Sequence, residues 1–182
     1  MYTCRTKHFV KQMTSIDQAI EDMERLCFQL NEKQRSQDEE TTRRHAITSA
    51  LQKIDPPFVM QTDTRCRHFH GECDLQHVNT KRRRVSRRHG FLFTDIFLLT
   101  KHRRHSSRYT LKTMVTLRGV RVDDTPCLTQ RLPSKCFAHL LEVSAREGVF
   151  LFAFEQLEHK AHFVEQVHQC QTMLELAEMT LE

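Results

Sequence analysis

"RRHGFLFTDIFLLTK", residues 87–101, is apolar at nearly every position between Phe91 and Leu99. The run is broken only by Thr94-Asp95, a plausible turn between two paired strands. Strict alternation of apolar and polar residues marks a strand wetted on one face, and it is missing here. A near-continuous apolar run on either side of that turn fits two strands that feed the core. The flanks are the opposite. Over residues 81–104, "KRRRVSRRHGFLFTDIFLLTKHRR", the ends hold nine of the chain's 28 lysines and arginines. Residues 80–108 carry ten Lys/Arg and one acid, Asp95, or +9; with a net charge of +5 overall, the other 153 residues sum to −4. A local cationic patch on a mildly acidic body points to a polyanionic partner at one site, not to a generally basic protein.

Further strands lie on both sides. "FHGECDLQHV" (69–78) precedes the basic run. "RYTLKTMV" (108–115) and "TLRGVRVDD" (116–124) follow it. "CFAHLLEVS" (136–144) and "GVFLFAFE" (148–155) flank a turn at 145–148. Seven short strands predict a small antiparallel sandwich or barrel. From Leu157 the period becomes helical, with Phe163, Val164, Val167, Cys170 and Leu174 on one face. Such a helix would cover an open end of the barrel.

Upstream the chain reads as helix. Residues 1–13 look like a frayed start, and Ser15 with Gln18 resembles a capping box. Ile16, Ile20, Met23, Cys27 and Leu30 then form one stripe. Ala46, Ile47, Ala50, Leu51 and Ile54 resume it, and no glycine or proline interrupts before Pro56-Pro57. One helix over about 15–54 spans roughly 60 Å. Two shorter helices broken near 36–42 are the alternative. A helix this long exceeds what a small domain covers, so its N-terminal stripe is expected to seek protein: missing or partner helices, or the chain's own barrel.

There is no apolar run of membrane-spanning length, no secretory signal and no lipidation motif. Seven cysteines, an odd and scattered set, read as free thiols of a reduced cytoplasm. Cys66, His68, His70 and Cys73 are zinc-ligand types, but on a strand Cys73 would face away from the other three, so no metal is expected. No glycine-rich phosphate loop, paired-carboxylate signature or nucleophile–base spacing stands out. The expectation is of no enzyme activity and no cofactor.

The order of elements, seven strands and a closing helix with a basic loop between the first two strands, resembles a pleckstrin homology domain. "RRHGFLFTDIFLLTK" is similar to the second and third strands of the pleckstrin homology domains of Dbl-type Rho guanine-nucleotide exchange factors. "GECDLQHV", "YTLKTMVTLRGVRVDD" and "HKAHFVEQV" resemble the opening strand, the next pair and the last helix. "SIDQAIEDMERLCFQLNEKQR", leading to "RCRHFHGECDL", resembles the final helix of the catalytic Dbl-homology domain running into its pleckstrin partner. The resemblance covers residues 15–175. It implies an α+β fold: a long N-terminal helical segment (1–57) and a seven-stranded barrel capped by a helix (58–182).

Two departures are plain. The family's last helix usually bears a tryptophan; this chain has none, and Phe163 sits at the matching place. The helices that grip the GTPase switches have no counterpart here, so no catalytic residue transfers. The resemblance implies a regulatory module at the inner face of a membrane, with a Rho-family GTPase or scaffold as protein partner. Lys81, Arg82, Arg83, Arg84, Arg87 and Arg88 would lie on or beside the loop between the first two strands; Lys101, Arg103, Arg104 and Arg108 would lie on the loop between the third and fourth. Brought together, they would bind phosphoinositides or anionic lipid, since arginine gives forked bonds to phosphate and lysine a mobile point charge. Gln76, His77 and Gly90 depart from the usual lipid signature, which favours charge-driven binding over a tight pocket. The other reading is that the cations keep an apolar strand pair soluble. Nucleic acid is not expected, because the phenylalanines are placed as a core and not interleaved with the arginines.

Overall fold

A computed structural model describes residues 3–55, 67–124 and 138–179, with side chains from residue 16 onward. Helix α1 runs Thr3–Gln52; strands follow as β1 Phe69–Asn79, β2 Arg84–Phe93, β3 Ile96–His102, β4 Tyr109–Thr116, β5 Arg121–Asp123, β6 His139–Ala145 and β7 Gly148–Phe154; helix α2 is Leu157–Met179. The strands form one antiparallel sheet in the order β4-β3-β2-β1-β7-β6-β5. The α+β architecture expected from the sequence is present, with its seven strands, closing helix and long leading helix.

The chain divides into two compact units, 1–45 and 46–182. In the second, two apolar layers sandwich the β2–β3 hairpin. Leu92, Phe97 and Leu99 point into the barrel with Leu75, Leu141, Phe152 and Phe154. Phe91, Phe93, Ile96 and Leu98 point the other way, where Ile47, Ala50 and Ile54 cover them. Burial on both faces explains why the hairpin is apolar throughout. α2 packs Phe163, Val167 and Cys170 onto the interior cluster. Phe163 is 2 % exposed, with its ring 5.2 Å from Phe97 and 5.5 Å from Phe154. Phenylalanine therefore fills the slot where the family has tryptophan.

Three local expectations are corrected. α1 is helical from Thr3, so Ser15 and Gln18 lie inside it and do not cap its start. No glycine or proline in these first turns breaks a helix. The fifth strand is three residues long, not nine, because Leu117–Val120 make a turn closed by Val120 N–H to the Leu117 carbonyl (3.2 Å), with Gly119 at φ 67°. β2 begins at Arg84, three residues before the expected start at Arg87, which puts Arg84 on the strand with Arg87 and Arg88. The expected start of the sixth strand, Cys136-Phe137, and Cys66 lie outside the described residues.

Within the first unit, Ile16, Ile20, Met23, Cys27 and Leu30 are all exposed on α1, as are Leu26 and Phe28. The polar stretch that follows is laced by i,i+4 pairs such as Arg35–Glu39 (3.0 Å) and Arg44–Glu40 (2.6 Å).

Candidate functional site: a cationic edge of the sheet

β1 and β3 both run antiparallel to β2, so the β1–β2 turn (80–83) and the β3–β4 loop (103–108) leave the same edge of the sheet. Lys81, Arg82 and Arg83 occupy the turn. Arg82 N–H bonds Asn79 Oδ1 at 2.8 Å, which tightens it, and Arg83 adopts φ 47°. The β2–β3 ladder stops at His89 opposite Thr100, so Arg84–Arg88 extend past it as a projecting hairpin.

The ten cations are not equivalent. Lys81, Arg82, Arg83, Arg84, Arg87, Lys101 and Arg104 are exposed, and none of them has a carboxylate in ion-pair reach among the described residues. Arg88 lies opposite Leu75, on the interior face of the barrel. It is half-buried, its Nη1 donates to the Arg87 carbonyl (2.9 Å), and its buried Nε finds no acceptor among the described residues. Burial pulls its guanidinium below the usual range. Arg103 and Arg108 both turn to Asp55, Arg103 in a direct ion pair and Arg108 at 3.9 Å.

Asp55 is the residue that sequence reasoning missed. Residues just after α1 lie along the start of β4: Tyr109 N–H bonds the Lys53 carbonyl, and Asp55 N–H bonds the Tyr109 carbonyl, each at 2.7 Å. That bridge carries the carboxylate to a loop 48 residues away. No local pattern signals it.

A polar cluster sits beside the edge. His89 places Nδ1 2.7 Å from Asp74 and Nε2 2.9 Å from Glu72, and its ring stacks on Tyr109 at 4.5 Å. Lys53 reaches Glu72 from the other side. Burial pushes the Glu72 carboxyl up, but the hydrogen bonds from Lys53 and His89 outweigh it and hold the group below the usual range. Arg87, Arg88, His89, His102 and Tyr109 line a cavity of about 430 Å³, with Asp74 and Glu155 on its wall. A larger, mostly apolar cavity of about 860 Å³ follows α2 from Leu157 to Met173, away from the cationic cluster.

Gly90 lies in β2 between the cations and the core. A Cβ there would sit 2.4 Å from two carbons of the Phe97 ring and 3.0 Å from Cys73 Sγ. The missing basic residue of the lipid signature is thus a packing requirement.

The fold is that of a pleckstrin homology domain. Solved structures share it with the described strand order and closing helix. Activated Vav1 matches with a TM-score of 0.59 at 20% identity, over 74% of this chain and 33% of that one. Human ARHGEF11, whose DH/PH domain was solved with human RhoA and its inhibitor, matches with a TM-score of 0.53 at 12% identity, over 72% of this chain and 40% of that one. The linker and DH/PH domains of p115-RhoGEF match at a TM-score of 0.50 and 13% identity, over 66% and 37%. The chain spans about a third of the Vav1 chain it matches. No family model matches the sequence, and no curated protein matches it. The pleckstrin homology fold thus rests on three-dimensional likeness to DH/PH fragments of Rho exchange factors. Among the described residues, no helix is long and apolar enough to cross a membrane.

Proposed function

We propose that this chain is the membrane-docking and regulatory pleckstrin homology module of a Rho guanine-nucleotide exchange factor, held at the cytoplasmic face of a membrane by anionic lipid. The observation that carries the reading is the shared edge: two cationic segments, 80–88 and 101–108, project from one side of a single sheet. Each basic residue close to an anionic leaflet contributes about 1 kcal/mol, and forked guanidinium bonds add selectivity for phosphorylated head groups. The projecting β1–β2 hairpin supplies most of the free charge, because Asp55 holds Arg103 and Arg108.

Sedimentation with vesicles of phosphatidylcholine, phosphatidylserine and phosphatidylinositol bisphosphate tests the reading. Binding at low salt that fades as salt rises, and is lost when Arg82, Arg83 and Arg84 become alanine, supports it. No binding at low salt, or binding indifferent to that triple substitution, sinks it.

A second contact is favoured by the exposed stripe Ile16, Ile20, Met23, Cys27 and Leu30 on α1. In this reading α1 docks on helices of the exchange domain or on a scaffold, and nucleotide exchange belongs to helices outside these residues. The chain alone then leaves nucleotide release from Rho-family GTPases unaccelerated; clear acceleration overturns that assignment.

A further inference from the structure

The pattern Arg-Arg-x-Ser occurs twice, as Arg83-Arg84-Val85-Ser86 and Arg103-Arg104-His105-Ser106. A serine kinase with an acidic substrate groove reads two guanidinium groups placed this way ahead of the acceptor hydroxyl, through charge-assisted forked bonds.

The fold treats the two copies differently. Ser86 is inside β2, paired with His77 of β1, and its Oγ donates to the His77 carbonyl at 3.4 Å. Fitting it into a kinase cleft as an extended strand requires opening the β1–β2 ladder. Ser106 lies in the six-residue loop after the last β3–β4 pair, His102 with Tyr109. Arg103, Arg104, His105 and Ser107 are exposed, and Ser106 is partly exposed. Besides the Asp55 ion pairs of Arg103 and Arg108, few bonds hold the loop: Arg103 N–H to the Arg108 carbonyl (3.0 Å), Ser106 N–H to the Arg103 carbonyl (3.3 Å), and Arg108 N–H to Ser106 Oγ (3.1 Å). His105 sits at φ 61°, in the left-handed region, a strain for a residue with a Cβ that extension relieves. Local opening of such a loop is far easier than opening a ladder.

We propose that Ser106 is a phosphorylation site for a basophilic serine kinase, and that its phosphate weakens docking of the cationic edge on anionic lipid. The second half rests on the docking reading above. In the transfer, Ser106 Oγ forms a bond to the γ-phosphorus of ATP. The bond from that phosphorus to the β–γ bridging oxygen breaks, ADP departs with the electron pair, and the hydroxyl proton passes to the kinase's base. The product adds a charge of about −1.5 to −2 and three strong acceptor oxygens. They arise where Oγ already accepts from Arg108 N–H, on the loop that carries Arg103, Arg104 and Arg108. The phosphate competes with Asp55 for those guanidinium groups and cancels the potential a membrane would feel.

The test uses the full chain with Mg-ATP and the catalytic subunit of cAMP-dependent protein kinase, with phosphosites mapped by mass spectrometry. Phosphate is expected on Ser106 and not on Ser86 in the folded chain, lost in Ser106→Ala and in the Arg103→Ala/Arg104→Ala pair. A synthetic peptide of residues 79–93 is expected to accept phosphate at Ser86, which identifies the fold as the cause of its protection. Preference for Ser86 in the folded chain, or no phosphate on Ser106, overturns the site. In the vesicle assay the phosphorylated chain is expected to bind at least about tenfold more weakly than the untreated chain. Kinase-treated Ser106→Ala is expected to bind undiminished. Equal binding of phosphorylated and untreated chain overturns the regulatory half. Failure of the untreated chain to bind overturns the docking reading and that half with it, while the phosphosite map still decides the acceptor.

Discussion

Gly90 and Phe97 face each other across the β2–β3 hairpin so closely that a Cβ on Gly90 would lie 2.4 Å from Cε2 and Cζ of the Phe97 ring. Phe97 in turn stacks edge-on against Phe152 and Phe163, 5.9 and 5.2 Å away. The glycine therefore seats the ring that joins the hairpin to β7 and to α2. One position before the apolar core and one after His89, it also fixes where cationic sequence must give way to packing.

Replacing Gly90 with alanine pushes a methyl into that ring. The expected cost is about 1–3 kcal/mol, the range for overpacking a well-filled core. Urea unfolding followed by far-ultraviolet circular dichroism measures it. Gly90→Arg is expected to destabilise more. A wild-type midpoint for Gly90→Ala would mean that Phe97 is free to move aside.

Arg67 is 2 % exposed and closes on Asp95 with two parallel bonds, Nε to Oδ1 at 2.6 Å and Nη2 to Oδ2. Asp95 also offers its carbonyl to Leu117 N–H at 2.9 Å, so the β2–β3 turn is tied to the residue before β1 and to the end of β4. Asp95→Ala removes the carboxylate paired with this buried guanidinium, with an expected loss of about 3 kcal/mol. Arg67→Met in the Asp95→Ala background is expected to recover part of that loss, because it removes the buried charge. If the double variant is no more stable than Asp95→Ala, the buried charge is not the cause.

How much of this was legible follows from how local each cause is. The β2–β3 hairpin was readable because burial on two faces leaves every residue from Phe91 to Leu99 apolar except Thr94 and Asp95 at the turn. α2 was readable from a stripe that includes Phe163, Val167 and Cys170. The start of α1 was not, because Ser15 and Gln18 match a capping pattern that here occurs inside a helix. The short β5 was hidden because Leu117 and Val120, at the two ends of the turn, are apolar and buried as strand residues are. At the cationic edge, residue types gave the charge but not its distribution. The inward aim of Arg88 depends on register, and the neutralising Asp55 arrives through a bridge between segments far apart in the chain.

Asp55 thus acts as an internal competitor for whatever anion the edge binds. Asp55→Asn keeps the shape and removes the charge, freeing Arg103 and Arg108. Vesicle binding is expected to rise about fivefold, with stability changed by less than about 1 kcal/mol because both arginines are solvent-exposed. Unchanged binding would place the β3–β4 loop away from the bound surface and leave docking to the β1–β2 hairpin alone.

Acid is expected to destabilise the fold in two stages. Burial holds His70 below its usual value, helped by the charge of His68; burial does the same for His77, helped by Arg88. Their folded pKa values lie under the unfolded 6.5, so the unfolded chain binds more protons. The stability they contribute is complete above 6.5 and is lost as pH falls through the folded values. Glu72, held below 4.5, adds a second loss as pH drops under that value. Urea midpoints are expected to decline from pH 7.5 to 5 and again below 4.5. His70→Gln is expected to flatten the first decline and Glu72→Gln the second. A midpoint flat between pH 7.5 and 5 contradicts the histidine assignment.

Thiol chemistry reports whether the closed end of the barrel stays closed. Burial pushes the Cys73 thiol up to about 12, with the Asp74 charge adding to it, and Cys170 likewise to about 12 with help from Asp95. Both thiols stay protonated at ordinary pH; Cys170 is on the buried face of α2, and Cys73 of β1 packs against the same cluster. Cys27 is exposed on α1. Timed iodoacetamide labelling at pH 8, mapped peptide by peptide, is expected to modify Cys27 at least about a hundredfold faster than Cys73 or Cys170. Phe163→Ala is expected to cost about 3–5 kcal/mol and to raise the labelling of Cys170, because it removes the ring that seats α2 on the barrel. Equal labelling of all three thiols in the unaltered protein would mean that α2 does not remain seated, and that the barrel interior is open to solvent at the end the helix covers.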